Sequence, residues 1–291
     1  MAVAIPPVRP RTLVSQLKEQ LRPFCPQPVL NWREEVYFRK YGEIELHLVE
    51  FLCDRRRDGI DVGAADGCYL YWLRRYARQV IAFEPLPAHA EALVNKFGAS
   101  VTVRNLALSR GAGKGILRIP EIDGILTHGC ASLSPMANGP DAPTHRDIEV
   151  RTAALDEIYH GDVGFMKIDV EGFEEAVLDG AVKTINRCRP NLLIELEERY
   201  SAGGVVRVAA WLGRFGYQGF YVRPGCLAPI DTFDIQTMQR LQDSPSLTGE
   251  LSERQRFPLY INNFLFLAAD GLSQRRAKID ARLARLSAPP R

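Results

Sequence analysis

From Gly59 onward, short apolar segments alternate with segments of helical periodicity. The apolar segments are GIDVG, QVIAFEP, VTVRNLAL, GFMKIDV, NLLIELE, GYQGFYV and NNFLFLA, and helical patterns between them cover residues 69–78, 87–97, 173–179 and 205–215. This alternation is typical of parallel strands joined by crossover helices. The sequence therefore predicts an α/β fold built on a doubly wound, mostly parallel sheet of about seven strands.

The chain is longer than one typical domain, yet it shows one continuous pattern. Its 291 residues exceed the ~150 expected per domain, but α/β domains often reach ~200 to 250 residues. We expect a helical N-terminal extension over 1–57, one domain over 58–270, and a basic C-terminal helix or tail over 271–291. The last segment has six Arg or Lys against one acid, Asp280, and should dock on the core by its apolar face. The apolar positions of that face are Leu272, Ile279, Leu283 and Leu286.

Composition excludes several classes of protein. The formal net charge of +2 is far from the strongly basic balance of a nucleic-acid surface, so no nucleic-acid partner is expected. The six cysteines include no CxxC pair, which indicates reduced structural thiols. No segment approaches the ~18 apolar residues of a membrane span, and no signal-peptide core is recognisable. We therefore expect a cytoplasmic protein without a transmembrane segment, and a homo-oligomer is left open.

The segment DVGAADG, residues 61–67, places small residues directly after the first predicted strand. A nucleotide-like ligand needs such bare backbone beside it, whereas the alternative is an ordinary turn from strand to helix. In a doubly wound sheet, ligands bind at the carboxyl ends of the strands, where the strand order reverses. Polar residues expected at that edge are 61–67, Glu84, 105–107, 169–172 and 195–197. Their placement predicts one shared pocket.

Glu84 ends the second predicted strand, 21 residues after Gly63. A carboxylate there can accept two hydrogen bonds from the vicinal hydroxyls of a ribose, and the spacing also suits a nicotinamide dinucleotide. The loop lacks GxGxxG, however, and Asp66 would repel a pyrophosphate beside it. S-adenosylmethionine carries a ribose and a positive sulfonium but no phosphate, so it is the better electrostatic match. A nicotinamide-dependent oxidoreductase is the alternative.

A series of motifs with a familiar order runs through the domain. They are DVGAADG, IAFEP, NLALS, ASLSP, TAALDEI, MKIDVEGFEEAVLDGA, RPNLLIELE and NNFLFL. In this order the sequence resembles the FkbM family of S-adenosylmethionine-dependent methyltransferases, over about residues 58–268. The most specific part is KIDVEGFE followed by Leu-Asp-Gly-Ala, because a glycine loop alone is a weak signal.

The resemblance implies a class I methyltransferase fold and S-adenosylmethionine as cofactor. It also implies O-methylation of a hydroxyl on a sugar or natural product, so the expected acceptor is a small molecule or a glycan. Expected cofactor-binding residues are Asp61, Gly63 and Gly67 at the methionine end, Glu84 at the ribose, Asn105 and Ala107 near the adenine, and also Ala64, Asp66, Pro85 and Asp169. The family loop commonly reads Gly-Ala-Asn-x-Gly, and here Ala65 stands at the Asn position. A scaffold that binds cofactor without turnover is the non-enzymatic alternative.

Asp169 and Glu171 follow the fourth core strand, beside the expected position of the methyl group. One of them is expected to orient or deprotonate the acceptor hydroxyl. Two such carboxylates could also share a divalent cation, and the sequence leaves that metal undecided. The next acids, Glu174 and Glu175, are expected to be structural, since acids in the first helical turn interact with free N–H groups. Lys167 is either the partner of the acids or a side chain that escapes past the sheet edge.

Residues 120–147 form a long connection rich in Gly and Pro, which is typical of functional loops. Candidate acceptor-binding residues are His128, Ser132 and His145 in that region, and Glu195 and Glu197 after the fifth strand. A loop histidine could act as a base near neutral pH, although loop histidines are more often solvated. The two glutamates could instead form ion pairs with nearby arginines. Further along, Asp156 is expected to cap its own short helix, DEIY.

Overall fold

The computed structural model describes residues 25–122, 125–127, 131–133, 144–240, 243 and 257–288. Its strands are β1 (Asp58–Val62), β2 (Val80–Phe83), β3 (Thr102–Arg104), β4 (Ala107–Leu108), β5 (Gly113–Ile122), β6 (Ile125–Leu126), β7 (His145–Ala153), β8 (Val163–Ile168), β9 (Asn191–Glu195), β10 (Tyr217–Arg223), β11 (Cys226–Pro229) and β12 (Asn263–Ala268). Its α-helices are α1 (Gln27–Tyr41), α2 (Val49–Leu52), α3 (Leu70–Tyr76), α4 (Pro87–Phe97), α5 (Leu155–Ile158), α6 (Glu174–Asp179), α7 (Val182–Cys188), α8 (Gly204–Gly213), α9 (Ile235–Met238) and α10 (Leu272–Ser287).

The main sheet has the order β11-β10-β12-β9-β8-β1-β2-β3. Pairs between β3, β2, β1, β8 and β9 are parallel, whereas β12 runs antiparallel to both β9 and β10. The described sheet therefore has eight strands rather than about seven, because β11 folds back on β10 as an antiparallel edge strand. The predicted doubly wound, mostly parallel α/β fold is confirmed.

Strand order reverses between β1 and β8, which are neighbours in the sheet although about a hundred residues of chain separate them. All residues of β1 and β8 are buried, as expected for central parallel strands covered on both faces. Two separate apolar clusters lie on the two faces, one containing Leu70 and Leu73, the other Ile60 and Val62. The carboxyl ends of β1 and β8 are thus held rigidly beside each other.

The third predicted strand, VTVRNLAL, is divided in the structure. Thr102–Arg104 pairs with β2 in the main sheet, whereas Ala107–Leu108 pairs with β7 in a smaller sheet. At the break, Leu106 N donates to Arg104 O, and Asn105 Nδ2 donates 2.9 Å bonds to the carbonyls of Glu84 and Pro85. Asn105 therefore holds a tight turn that carries the chain out of the main sheet.

The smaller sheet has the order β4-β7-β5-β6. Strands β5 and β7 extend into the long connection and pair antiparallel from Gly113 with Thr152 to Pro120 with His145. Its apolar face packs Leu117, Ile119 and Val150 into a third cluster with Leu86 and Ala107. The smaller sheet therefore forms a wall beside the carboxyl ends of β1 and β2.

Both predicted extensions are helical within the described residues. Helix α10 buries Ile279 and Leu283 completely, as its apolar spacing predicts, and α1 has no buried residue. Residues 1–24 of the predicted N-terminal extension lie outside the described residues. The boundaries of the domain and its two extensions stay a prediction.

Candidate active site

The loop after β1 approaches the end of β8 too closely for most side chains. Gly63 has φ +79°, and a Cβ on it would lie 1.9 Å from the carbonyl oxygen of Asp169. Gly63 N and Ala64 N donate to Phe83 O at 2.9 and 3.2 Å, which ties the loop to the end of β2 as well. The glycine is thus required both by its backbone conformation and by the close contact. The sequence pattern alone indicated only the need for a small residue.

Two further loop residues have positive φ. Gly67, at +77°, is buried beneath the loop, where a Cβ would meet Leu93 and Phe97 at 2.7 Å. Ala65 has φ +44°, a left-handed conformation that costs a residue with a Cβ free energy and that Asn tolerates better. Ala65, the position at which this chain differs from the family loop, is therefore a strained residue.

Glu84 lies at the end of β2 and is 4% exposed. Its carboxylate accepts hydrogen bonds from Ala65 N at 2.9 Å and Leu86 N at 2.8 Å, so it joins the glycine loop to the start of α4. Burial raises the pKa of Glu84, although these two N–H donors oppose the rise. A carboxylate has about four acceptor positions, so lone pairs are left for ribose hydroxyls.

A cavity of about 610 Å³ opens between the main sheet and the smaller sheet. It is lined by Gly63, Ala65, Glu84, Pro85, Leu86, His89, Ala107, Leu108, Leu117, Ala131, Leu133, Asp169, Val170, Glu171 and Phe173. Acids stand at both ends and apolar side chains form the walls. Among the described residues that line it, none is Lys or Arg.

Lys167 is the cation behind this acidic surface. Its side chain is 2% exposed, and Nζ lies 3.2 Å from Asp169 Oδ2 and 3.7 Å from Glu195 Oε2. The ammonium makes no well-aligned hydrogen bond, so its attraction to these acids is mainly Coulombic. Burial lowers the pKa of Lys167, but the surrounding acids raise it more. Lys167 is therefore the partner of the acids, which decides between the two interpretations of the sequence.

Asp61 is buried at the end of β1, where burial raises its pKa to about 7 and Lys167 opposes the rise. Glu43, which precedes the predicted domain, also reaches this cluster. Its Oε2 accepts hydrogen bonds from Tyr69 Oη at 2.5 Å and from Asn263 Nδ2 at 3.3 Å. The cluster is thus assembled from the N-terminal segment, the glycine-loop region and four strands of the main sheet, namely β1, β8, β9 and β12.

Glu171 has φ +51° and lies at the opposite side of the cavity from Glu84. Burial raises its pKa well above the ordinary value, and the nearby Asp169 and Glu197 raise it further. Its backbone carbonyl accepts a short hydrogen bond from Ser132 Oγ, which connects the β8 end to the strand bridge between Arg118 and Ser132. Ser132 thus positions Glu171 through the main chain.

Other acids near this edge have structural partners. Glu174 Oε1 accepts from Gly172 N at 2.8 Å, and Glu175 pairs with Arg207 at 2.7 Å, in agreement with the structural roles expected of both. Glu197 accepts from Tyr260 Oη at 2.5 Å and pairs with Arg199 at 2.7 Å. Glu197 therefore forms the ion pair that the sequence left open as its alternative to acceptor binding.

The structure brings most of the predicted site residues to one place. Some of them line the cavity, and others support that lining. Gly63, Glu84, Pro85, Ala107, Asp169 and Glu171 line the cavity. Asp61, Ala64, Gly67, Asn105, Ser132 and Glu195 lie behind this lining and support it, whereas Asp66 is exposed, with only its carbonyl bonded to Lys96. The side chain of His145 is on the surface of β7, 3.5 Å from Asp147, and does not line the cavity. His128 lies outside the described residues.

Sequence reasoning missed the apolar wall and one polar residue. Leu86, Leu108, Leu117, Ala131 and Phe173 come from the smaller sheet and from the segments beside Glu84 and Glu171. His89, in the first turn of α4, also lines the cavity. The sequence offered one signal for His89: a helix that begins directly after a cofactor-binding strand has its first turn at the carboxyl edge of the sheet, where ligands bind.

The described residues hold no group of three or more His, Cys, Asp or Glu side chains arranged to bind a metal ion. Asp169 is instead paired with the ammonium of Lys167. The residues present do not fit a divalent cation, and we derive no step through one.

Comparison with known proteins gives the family. Residues 61–218, more than half of the chain, match the methyltransferase FkbM domain. The chain belongs to the FkbM methyltransferase family. It is therefore a methyltransferase domain by descent, and the resemblance seen in the motifs is confirmed. A search of curated proteins finds no match.

Solved structures similar to this FkbM protein have low sequence identity. The FkbM methyltransferase of Methylobacillus flagellatus is 14% identical with a TM-score of 0.44, over 73% of this chain and 44% of that one, so this chain spans less than half of that protein. SMU.1697c of Streptococcus mutans, in complex with SAH, is 10% identical with a TM-score of 0.39, over 62% and 87%. A SAM-dependent methyltransferase of Aquifex aeolicus is 16% identical with a TM-score of 0.33, over 64% and 84%. The family assignment depends on the domain match alone.

The described helices include none that is both long and apolar enough to cross a membrane.

Proposed function

We propose that this FkbM protein transfers a methyl group from S-adenosylmethionine to a hydroxyl oxygen of a sugar-bearing or natural-product acceptor. The observation that carries the proposal is the charge of the cavity, which has Glu84 at one end, Asp169 and Glu171 at the other, and no Lys or Arg among its described lining residues. Such a surface attracts a cationic nucleoside and repels the pyrophosphate of a dinucleotide. The oxidoreductase alternative is therefore disfavoured.

The residues fit the parts of this cofactor. Glu84 faces the cavity with spare acceptor positions for the two ribose hydroxyls, and Pro85, Leu86 and Ala107 supply apolar surface for a base. Gly63 leaves room at the end of β1, where Asp61 and Asp169 are closest to an amino group or a sulfonium. When bound, S-adenosylmethionine supplies an electrophilic methyl group on a positively charged sulfur.

The acids near β8 then have a chemical role. An acceptor hydroxyl held in line with the methyl group attacks its carbon, the carbon–sulfur bond breaks, and the hydroxyl proton passes to a carboxylate. Positioning of this kind can supply ~7 to 11 kcal/mol, and a base adds roughly 10²- to 10⁴-fold. Glu171 is the best candidate for the base, because it lines the cavity and its raised pKa gives its carboxylate a high proton affinity.

The raised pKa of Glu171 makes cofactor binding a proton-linked event. In the empty cavity, burial and the neighbouring acids favour the protonated carboxyl. A cation within ~4–6 Å favours the carboxylate, so Glu171 should lose its proton when the sulfonium binds. S-adenosylhomocysteine has a neutral sulfur and should not displace this proton.

Calorimetry in buffers of different ionisation enthalpy tests both the cofactor and this linkage. We expect saturable binding of both compounds, with greater proton release for S-adenosylmethionine than for S-adenosylhomocysteine, and a smaller difference between the two in Glu171→Gln. Glu84→Gln should weaken both at least about 10-fold, as expected for loss of hydrogen bonds to a charged group. Glu91→Gln, on the exposed face of α4, is the matched control. Binding of a nicotinamide dinucleotide without S-adenosylmethionine would overturn the proposal.

Turnover separates an enzyme from a scaffold. A metabolite extract incubated with the protein and methyl-labelled cofactor should give a labelled hydroxyl compound by mass spectrometry. Glu171→Gln should slow this labelling by roughly 10²-fold or more while cofactor binding is retained. If Asp169→Asn and Glu171→Gln both leave the labelling unchanged, neither acid is the base.

A further inference from the structure

A second cavity lies where the N-terminal segment, the core and the C-terminal helix meet. It has a volume of about 520 Å³ and shares no lining residue with the cavity at Glu84. Its walls come from α1, α2 and the turn before it, α3 and α10, and include Arg39, Trp72, Arg75 and Arg282. No motif of the FkbM domain explains why three arginines from three helices meet here.

The charges around this second cavity do not balance. Arg39 and Arg75 each donate an Nη2 bond of 2.7 Å to the same carboxylate, that of Glu35. Glu50, the one acid among the described lining residues, accepts a 3.3 Å bond from Tyr76 Oη. Among the described residues, two carboxylates therefore stand against three guanidinium groups.

Arg282 is the arginine without a partner. Its Nε is buried, and among the described residues it has neither a hydrogen bond nor an ion pair. The other arginines of α10 do have partners, since Arg275 donates to Asp270 O, Arg276 pairs with Asp280 at 3.6 Å and Arg285 donates to Ala281 O. A buried donor on a charged group is costly to leave unsatisfied. A ligand that accepts a hydrogen bond from Arg282 would remove this cost.

We infer that this cavity binds a small oxyanion of the phosphate type, carried by a soluble molecule. The guanidinium fork matches the oxygens of a phosphate in a bidentate geometry, and three such groups surround one space. Trp72 and Tyr76 give the cavity an aromatic side suited to an organic group attached to the anion. The bound anion would hold α1, α3 and α10 together.

The position of α3 gives such a ligand a consequence for the other site. Helix α3 begins three residues after Gly67, the last glycine of the loop that lines the first cavity. An anion that fixes α3 to α1 and α10 therefore stabilises the element on which that loop depends. This inference does not rest on the proposed methyl transfer, because it follows from the arginines alone.

Trp72 lines the cavity and provides a direct signal for binding. We would titrate the full chain with sodium phosphate, pyrophosphate or sulfate at ionic strength held constant with sodium chloride, and follow tryptophan fluorescence and heat. We expect saturable binding of at least one of these anions and a higher melting temperature in its presence. Arg282→Gln should weaken binding at least about 10-fold, whereas Arg285→Gln, an exposed arginine of the same helix, should bind like the wild type.

Several outcomes would overturn the inference. One is the absence of a saturable signal with all three anions at constant ionic strength. Another is equal binding by Arg282→Gln and Arg285→Gln, which would show only general screening of charge. A third is sedimentation with phosphatidic acid vesicles that requires Arg282 while free anions give no signal, because the source would then be a lipid surface. Circular dichroism of each variant excludes misfolding as the cause.

Discussion

The two ends of the first cavity hold their carboxylates in different ways. Glu84, at the β2 end, is held by hydrogen bonds from two backbone N–H groups, those of Ala65 and Leu86. Asp169 and Glu171, at the β8 end, depend on Lys167 and on neighbours from distant parts of the chain, including Ser132. The first end is set by backbone shape and the second by buried charge. Backbone shape should be sensitive to added atoms, and buried charge should be sensitive to pH and to loss of the counter-ion.

Gly63→Ala should have the largest effect, because it disrupts the close contact between the glycine loop and the end of β8. The new Cβ would lie 1.9 Å from the carbonyl oxygen of Asp169, on a residue with φ +79°. We expect a loss of about 5 kcal/mol of unfolding free energy, at the exceptional end of single substitutions, and no measurable cofactor binding. Urea unfolding and calorimetry measure the two effects.

Gly111→Ala is the matched control for this glycine. A Cβ there meets no atom within 4 Å, so stability and binding should stay at the wild-type level. If Gly63→Ala and Gly111→Ala have the same unfolding free energy and the same affinity for the cofactor, the loop can move away from β8. The close contact then does not define the site.

Lys167→Met tests the charge-dependent end. Removal of Lys167 leaves Asp169, whose side chain is 30% exposed, and the more buried Glu195 without their shared cation. Breaking a buried ion pair typically costs about 3–5 kcal/mol. Lys167 lowers the pKa values of Glu195 and Asp61, so these should rise in the variant and the activity profile should move in the alkaline direction. Urea unfolding and the pH dependence of methyl transfer measure these changes.

The control is an exposed pair of the same chemistry. Lys114 lies 2.7 Å from Glu149, and both side chains are more than half exposed. Lys114→Met should therefore cost about 0–1 kcal/mol and leave the pH profile unchanged. Equal losses of stability in Lys167→Met and Lys114→Met would contradict a buried charge network.

Asp61→Asn should have a smaller effect on stability, and the size of that effect should depend on pH. Burial raises the pKa of Asp61 from 3.8 to about 7, so the folded protein binds this proton more tightly than the unfolded chain. The resulting stability is fully present below pH 3.8 and is lost as the pH rises through 7. Asp61→Asn should therefore be more stable than the wild type at pH 8, by about 1–3 kcal/mol, with a smaller gain at pH 5.

Urea unfolding at the two pH values checks this dependence, and Asp66→Asn, an exposed neighbour in the same loop, should change neither. Cofactor binding by Asp61→Asn should weaken even while stability rises. A variant that is less stable than the wild type at pH 8 would show that Asp61 is ionised at little cost in the folded protein.

The same division explains what the sequence could predict. The strands, α4 over Pro87–Phe97, and the residues Gly63 and Glu84 follow from local patterns, namely apolar runs, a proline at the start of a helix and a small-residue loop. Contacts between distant segments could not be predicted. Asp156, for example, does not cap its own helix but accepts from Lys183 N at 2.7 Å and Thr184 N at 2.8 Å, so it caps α7. That prediction was wrong because no local sequence pattern indicates a hydrogen-bond partner 27 residues away.

The β8 end of the site shows the same limit. Asp169 and Glu171 were recognised from the KIDVEGFE motif, whereas the roles of Glu43, Asn263 and Lys167 required the folded cluster. The apolar wall was missed because Leu117, in β5, and Ala131, beside the bridge between Ser132 and Arg118, reach the cavity only through the fold of the long Gly- and Pro-rich connection.

The smallest expected effect comes from substitutions of Ala65, which test the backbone conformation of the glycine loop. Ala65 has φ +44°, where a Cβ is strained, and Ala65→Gly or Ala65→Asn should raise the unfolding free energy by about 0.5–1 kcal/mol. Gly98 offers the reverse experiment, since it has φ +54° and a Cβ there meets nothing within 4 Å. Gly98→Ala should lower stability by about 1–3 kcal/mol without a clash, because φ +54° with ψ −139° is a backbone conformation that residues with a Cβ rarely adopt. If urea unfolding shows both Ala65 variants to be less stable than the wild type, contacts of the Ala65 methyl group with the cavity outweigh the strain, and side-chain packing governs this end of the site too.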